Sequence, residues 1–64
     1  MNVNDLRPGS RLIYDDGRPG HRGVRATVLA VTERGMLVQF DDRADTNYIG
    51  FSDPKWMDFI TVVN

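Results

Sequence analysis

The 64-residue chain has no cysteine, one histidine and one tryptophan. Without cysteine it has no disulfide to brace it, no thiolate nucleophile and none of the zinc sites built on sulfur. His21 is the only imidazole, so neither a metal site made from the protein alone nor a cofactor is expected. Long apolar runs are also missing. No stretch approaches the roughly 18 apolar residues of a membrane span, and the opening MNVNDLRPGS lacks the apolar segment of a signal peptide. The expectation is a cytoplasmic protein.

A large charge of one sign is lacking too. The formal net charge of −1 argues against a strongly basic nucleic-acid binder. The charges are nevertheless uneven along the chain. Residues 1–32 set five arginines against three aspartates, a net of +2, whereas residues 33–64 set Arg34, Arg43 and Lys55 against six carboxylates, a net of −3. This is read either as one basic and one acidic face or as the ordinary scatter of a small surface.

What is present fits one small domain over residues 1–64, near the lower size at which a core without disulfides or metal holds a chain folded. A chain this short has little room for a catalytic cleft, and no nucleophile stands beside His21. No enzyme is expected.

Arg11 to Tyr14 alternates weakly and reads as a first strand after the Pro8-Gly9 turn. DDGRPGHRG is too rich in glycine and proline for helix or central strand, and becomes a long loop over residues 15–23, either mobile or put to use. GVRATVLAVT is the clearest strand. Strict alternation places Val24, Ala26, Val28 and Ala30 on one face and Arg25, Thr27, Leu29 and Val31 on the other. ERG then turns the chain, with Gly35 able to take a positive φ, and MLVQFD returns as a hairpin partner with Met36, Val38 and Phe40 on one face. After the DDRAD turn, TNYIGF reads as a fourth strand and DFITVV as a fifth. Between them, Ser52 or Asp53 caps a single helical turn opened by Pro54, with Trp56 and Met57 within reach of the core.

Five short antiparallel strands, a long loop after the first, a tight central hairpin and one helical turn before the last strand make the connectivity of an all-β, SH3-like barrel. The OB-fold is the rival barrel. It usually carries a helix between its third and fourth strands, where this chain has only DDRAD.

The segment HRGVRATVLAVTERGMLVQFDDRADTNYIGFSD, residues 21–53, resembles the Tudor-type members of these barrels. Ala26 and Val28, then Val38, Phe40, Asp41 and Asp42, then Tyr48 and Ile49 sit where that pattern places such residues. The resemblance implies a cage of aromatic rings that holds methylated lysine or arginine through attraction of the cation to the ring faces. Its members here would be Tyr14, Phe40 and Tyr48, with a carboxylate from Asp41 or Asp42. The chain departs from the pattern at Gly23 and Val24, where cage-forming members carry an aromatic pair.

Two binding surfaces follow as expectations. The first takes a protein or peptide partner between the 15–23 loop and the 42–46 turn, through Tyr14, Phe40, Asp42 and Tyr48. Phe40, Trp56 and Phe59 are read as core, while Tyr14 and Tyr48 are divided between packing and ligand contact. The alternative is a nucleic-acid accessory surface on Arg11, Arg18, Arg22 and Arg25, with a nearby ring for base stacking. GRPGHRG lacks the Gly-Lys-Ser/Thr ending of a nucleotide-binding loop, and DDRAD lacks the spacing of a calcium loop. The remaining expectations are a monomer or weak dimer and no membrane partner.

Overall fold

The structure is a computed structural model and describes residues 6–63; Asp5, counted in the basic half of the sequence, and the two ends of the 1–64 domain lie outside those residues. Five antiparallel strands form one sheet: β1 (Arg11–Tyr14), β2 (Val24–Val31), β3 (Gly35–Phe40), β4 (Thr46–Gly50) and β5 (Ile60–Val62). The order across the sheet is β4-β3-β2-β1-β5, so β4 and β5 are its edges, and no ladder between them closes it. α1 (Pro54–Met57), the one helix among the described residues, lies between β4 and β5. Among the described residues, no helix is long and apolar enough to cross a membrane.

The ladders line up the core in rows. Leu12 sits opposite Val62 on one side and Ala26 on the other, and Ala26 in turn sits opposite Phe40. Directly opposed residues share a face, so this row crosses four strands on the buried side. Val28 opposite Val38, and Met36 opposite Ile49, extend the same face toward β4. Leu12, Val28, Met36, Val38 and Ile49 are fully buried. These five side chains are the floor of the core.

Strict alternation in β2 fails at one point. Val28 faces Val38, but the next opposed pairs are Ala30 with Leu37 and Val31 with Met36, so Leu29 is an extra residue in the ladder. A bulge of this kind inverts the faces beyond it. Val31 therefore turns to pack on the core, and Ala30, expected beside Val28, is exposed.

Gly35 does not use the positive φ open to it. It opens β3 without a positive φ, and the turn before it is held by Thr32, whose N–H donates to the Gly35 carbonyl at 2.8 Å and whose Oγ1 accepts the Gly35 N–H at 3.1 Å. Glycine is required there by space. A Cβ would stand 2.6 Å from the Tyr48 ring and closer still to the Ile49 carbonyl oxygen.

Two of the other connections, with the turn after β3, set up the site. Asp53 caps α1, its carboxylate accepting the Lys55 N–H at 3.0 Å, and Pro54 follows at the first helical position. The 15–23 loop is tied down internally. Asp15 and Asp16 each accept a backbone N–H two residues on, from Gly17 and Arg18 at 3.0 Å, and the His21 N–H donates to the Arg18 carbonyl at 2.9 Å. Gly17 and Gly20 take positive φ within it, which side chains rarely allow.

Candidate functional site

The tied loop, the turn after β3 and helix α1 meet over the end of β1, where they enclose a groove of about 180 Å³. Its apolar surface is a set of rings. Tyr14 closes β1 and points to the core face, Phe40 closes β3 on the same face, and the α1 cap brings Trp56 over both. The Tyr14 and Trp56 ring centroids are 5.2 Å apart, Tyr14 and Phe40 6.2 Å, and Phe40 and Trp56 6.4 Å. These separations and their tilted or edge-on angles are those at which aromatic pairs attract. His21 adds an edge contact to Tyr14 at 6.3 Å.

Around the rings stand cations. Arg18 comes from the loop, Arg43 from the turn and Lys55 from the helix. Arg43 lies over the Phe40 ring at 5.5 Å and also reaches Asp42 at 3.2 Å. Arg18 is pinned by Asp16 at 2.7 Å. Lys55 makes no ion pair among the described residues.

Asp16 braces the groove from behind. Its Oδ2 accepts from the Tyr14 hydroxyl at 2.9 Å and from Arg18 Nε at 2.8 Å, and lies 3.4 Å from His21 Nδ1. The Arg18 hydrogen bond, with help from Tyr14 and against partial desolvation, holds the Asp16 carboxyl well below the usual carboxylate range. Burial first, and the Asp16 hydrogen bond second, push the Tyr14 phenol up.

Of the residues expected at a partner surface, Tyr14 and Phe40 meet in the groove. Asp42 stands on the turn beside it, paired to Arg43. Tyr48 does not join them. It is opposite Leu37, on the face away from Met36, Val38 and Ile49, and its hydroxyl lies 3.2 Å from Thr32 Oγ1 at the other end of β3. Strand alternation separates it from Tyr14, with β3 and β2 lying between their strands. The cage of Tyr14, Phe40, Tyr48 and Asp41 or Asp42 is therefore not assembled, since Asp41 is also engaged elsewhere, with Arg11 at 2.8 Å. Arg18, Arg43 and Lys55 also line the groove around the rings, the first two paired to Asp16 and Asp42.

The four arginines of the nucleic-acid reading do not converge. Arg18 is at the groove; Arg11 and Arg25 lie on the sheet face away from Leu12 and Ala26. Arg11 is bound to Asp41 and to Thr27 Oγ1, and Arg22 Nε donates to the Gly17 carbonyl at 3.1 Å.

Sequence reasoning missed Arg43 and Lys55, and read Trp56 as core rather than contact surface; it is half-buried, packs against the core and also lines the groove. Phe59, also read as core, is 41% exposed. The signal for Trp56 was its place three residues after the cap, on a turn that must cross the end of the sheet to start β5. Among the described residues no group of three or more histidines or carboxylates could hold a metal ion. Compared with family models, curated proteins and solved structures, the chain matches none of them.

Proposed function

We propose that the chain is a non-catalytic binding module of SH3-like build that receives an extended segment of a protein partner in the groove between the 15–23 loop and the 42–46 turn. The order β4-β3-β2-β1-β5, the long loop after β1 and the helical turn before β5 support the architecture. The observation that carries the function is the convergence of Tyr14, Phe40 and Trp56 at one end of the sheet. Buried aromatic rings set in a concavity are the usual anchors of recognition surfaces. The size favours an inserted side chain over a free small molecule, since about 180 Å³ is below the roughly 300–1,000 Å³ of drug-sized ligand sites.

The nucleic-acid reading on Arg11, Arg18, Arg22 and Arg25 has less support. Arg11 and Arg18 are each matched by a carboxylate, so fewer charges remain to displace counterions from a phosphate backbone.

Trp56 is the only tryptophan and lies in the groove, so its emission reports occupancy. Titration of the labelled protein with a pool of short, capped peptides of mixed charge is expected to change that emission saturably and to shift amides of Tyr14, Val24, Phe40 and Trp56. Shifts confined to Arg11, Arg22 and Arg25 on adding mixed oligonucleotides, with the groove silent to peptides, would favour the alternative.

A further inference from the structure

Resting on that reading of the groove as a peptide site, we infer that its occupant carries one carboxylate next to an apolar side chain, an acidic-apolar segment of a partner protein. Charge complementarity at the mouth points to it. Three cations, Arg18, Arg43 and Lys55, line the groove. Asp16 answers Arg18 and Asp42 answers Arg43, which leaves Lys55 as the lining cation without an ion pair among the described residues. Counting only the lining cations and the carboxylates paired to them, the groove carries one positive charge in excess.

The apolar half of the occupant follows from the rings. Tyr14, Phe40 and Trp56 offer faces and edges to an uncharged side chain, and Arg43 already covers part of Phe40. A second cation entering there would be placed against Arg18, Arg43 and Lys55. A carboxylate beside the inserted side chain instead meets Lys55 and Arg43 at the rim, where exposed ammonium and guanidinium groups hold it by charge-assisted hydrogen bonds.

The same distribution disfavours a polyanion. Asp41, Asp42 and Asp45 on the turn, and Asp53 and Asp58 around α1, flank the groove in sequence on the elements that form it. These carboxylates lower the positive charge that the turn and helix offer to a polyanion, whose binding scales with the number of phosphates neutralised.

Three capped peptides of the same short length, identical except for the residue next to a central leucine, provide the test: glutamate, glutamine or lysine. Binding is followed by amide shifts and Trp56 emission at low and at physiological salt. The glutamate peptide is expected to bind about fivefold more tightly than the glutamine one, the worth of an exposed ion pair with good geometry. The lysine peptide should bind least, and the margin should shrink as salt is added. In Lys55→Glu the order of glutamate and lysine peptides is expected to reverse. Equal binding of all three at the groove would overturn the acidic preference and leave the peptide-site reading standing. No groove shifts with any of the three up to about 10 mM, an affinity barely above random contact, would overturn both; groove shifts from mixed oligonucleotides alone would do the same and assign the site to nucleic acid.

Discussion

At the residue scale, two positions bear constraints that composition does not reveal. Gly35 sits under Tyr48 and the Ile49 carbonyl, so adding one methyl group forces either the ring or the β3–β4 ladder apart. Gly35→Ala is expected to cost about 2 kcal/mol, in the range of overpacked cores. Gly50→Ala meets nothing nearer than the Arg34 carbonyl oxygen at 3.9 Å and should change stability far less. Urea denaturation of the pair checks this; equal midpoints would mean that the close approach at Gly35 is wrong. Asp16 supplies a second prediction. Its folded pKa is depressed, so its contribution is complete above the unfolded value of about 4 and is lost as pH falls through the folded one. Wild type should therefore lose more stability than Asp16→Asn between pH 6 and pH 3, measured by urea midpoints at each pH. Asp41, depressed in the same direction by Arg11, keeps some acid sensitivity in the variant. In a Tyr48→Phe background, which leaves Tyr14 as the only tyrosine, its phenol should titrate lower after Asp16→Asn while staying above its ordinary value, because burial is the larger cause of its shift. An unchanged ultraviolet titration would remove Asp16 from behind the ring.

At the element scale, most of the architecture was legible in the sequence. β1 and the hairpin of β2 and β3 appear where alternation placed them, and Asp53 and Pro54 start the helical turn as their capping chemistry requires. The bulge at Leu29 was not legible, because a run of Leu, Ala and Val reads equally well in either register. Only the partner strand decides it, by setting Val31 against Met36. Val31→Asp is accordingly expected to destabilise by about 2 kcal/mol through burial of an uncompensated charge, and Ala30→Asp, on the exposed side, by much less. The opposite ranking by thermal melting would restore simple alternation. The site was half legible for the same kind of reason. Tyr14 and Phe40 could be grouped from strand position, but Tyr48 belongs to the other face once β4 is registered on β3, and Trp56 depends on how α1 crosses the sheet. Asp53→Ala should cost about 1 kcal/mol, as loss of an N-cap does. Because Lys55 and Trp56 ride on that helix, it should also weaken groove binding more than its stability cost explains. Peptide titration of the folded variant reads this directly, and unaltered affinity would separate the cap from the site.

At the scale of the whole molecule, a chain with a Cα radius of gyration of 10.7 Å holds a concavity that takes a side chain, lined by Tyr14, Phe40 and Trp56. A chain this small draws its core and its site from the same residues. Tyr14 is buried among the core side chains and lines the groove as well, and its hydroxyl is held by the carboxylate that pins Arg18. Core, loop and rim are therefore connected through Tyr14 and Asp16. The most direct test of the account is the Trp56 indole resonance of the labelled protein during titration with the glutamate-leucine peptide. A saturable shift is expected there and at Tyr14 and Phe40, with Arg25 and Tyr48 unmoved. A shift at Tyr48 or Arg25 with Trp56 still would contradict it.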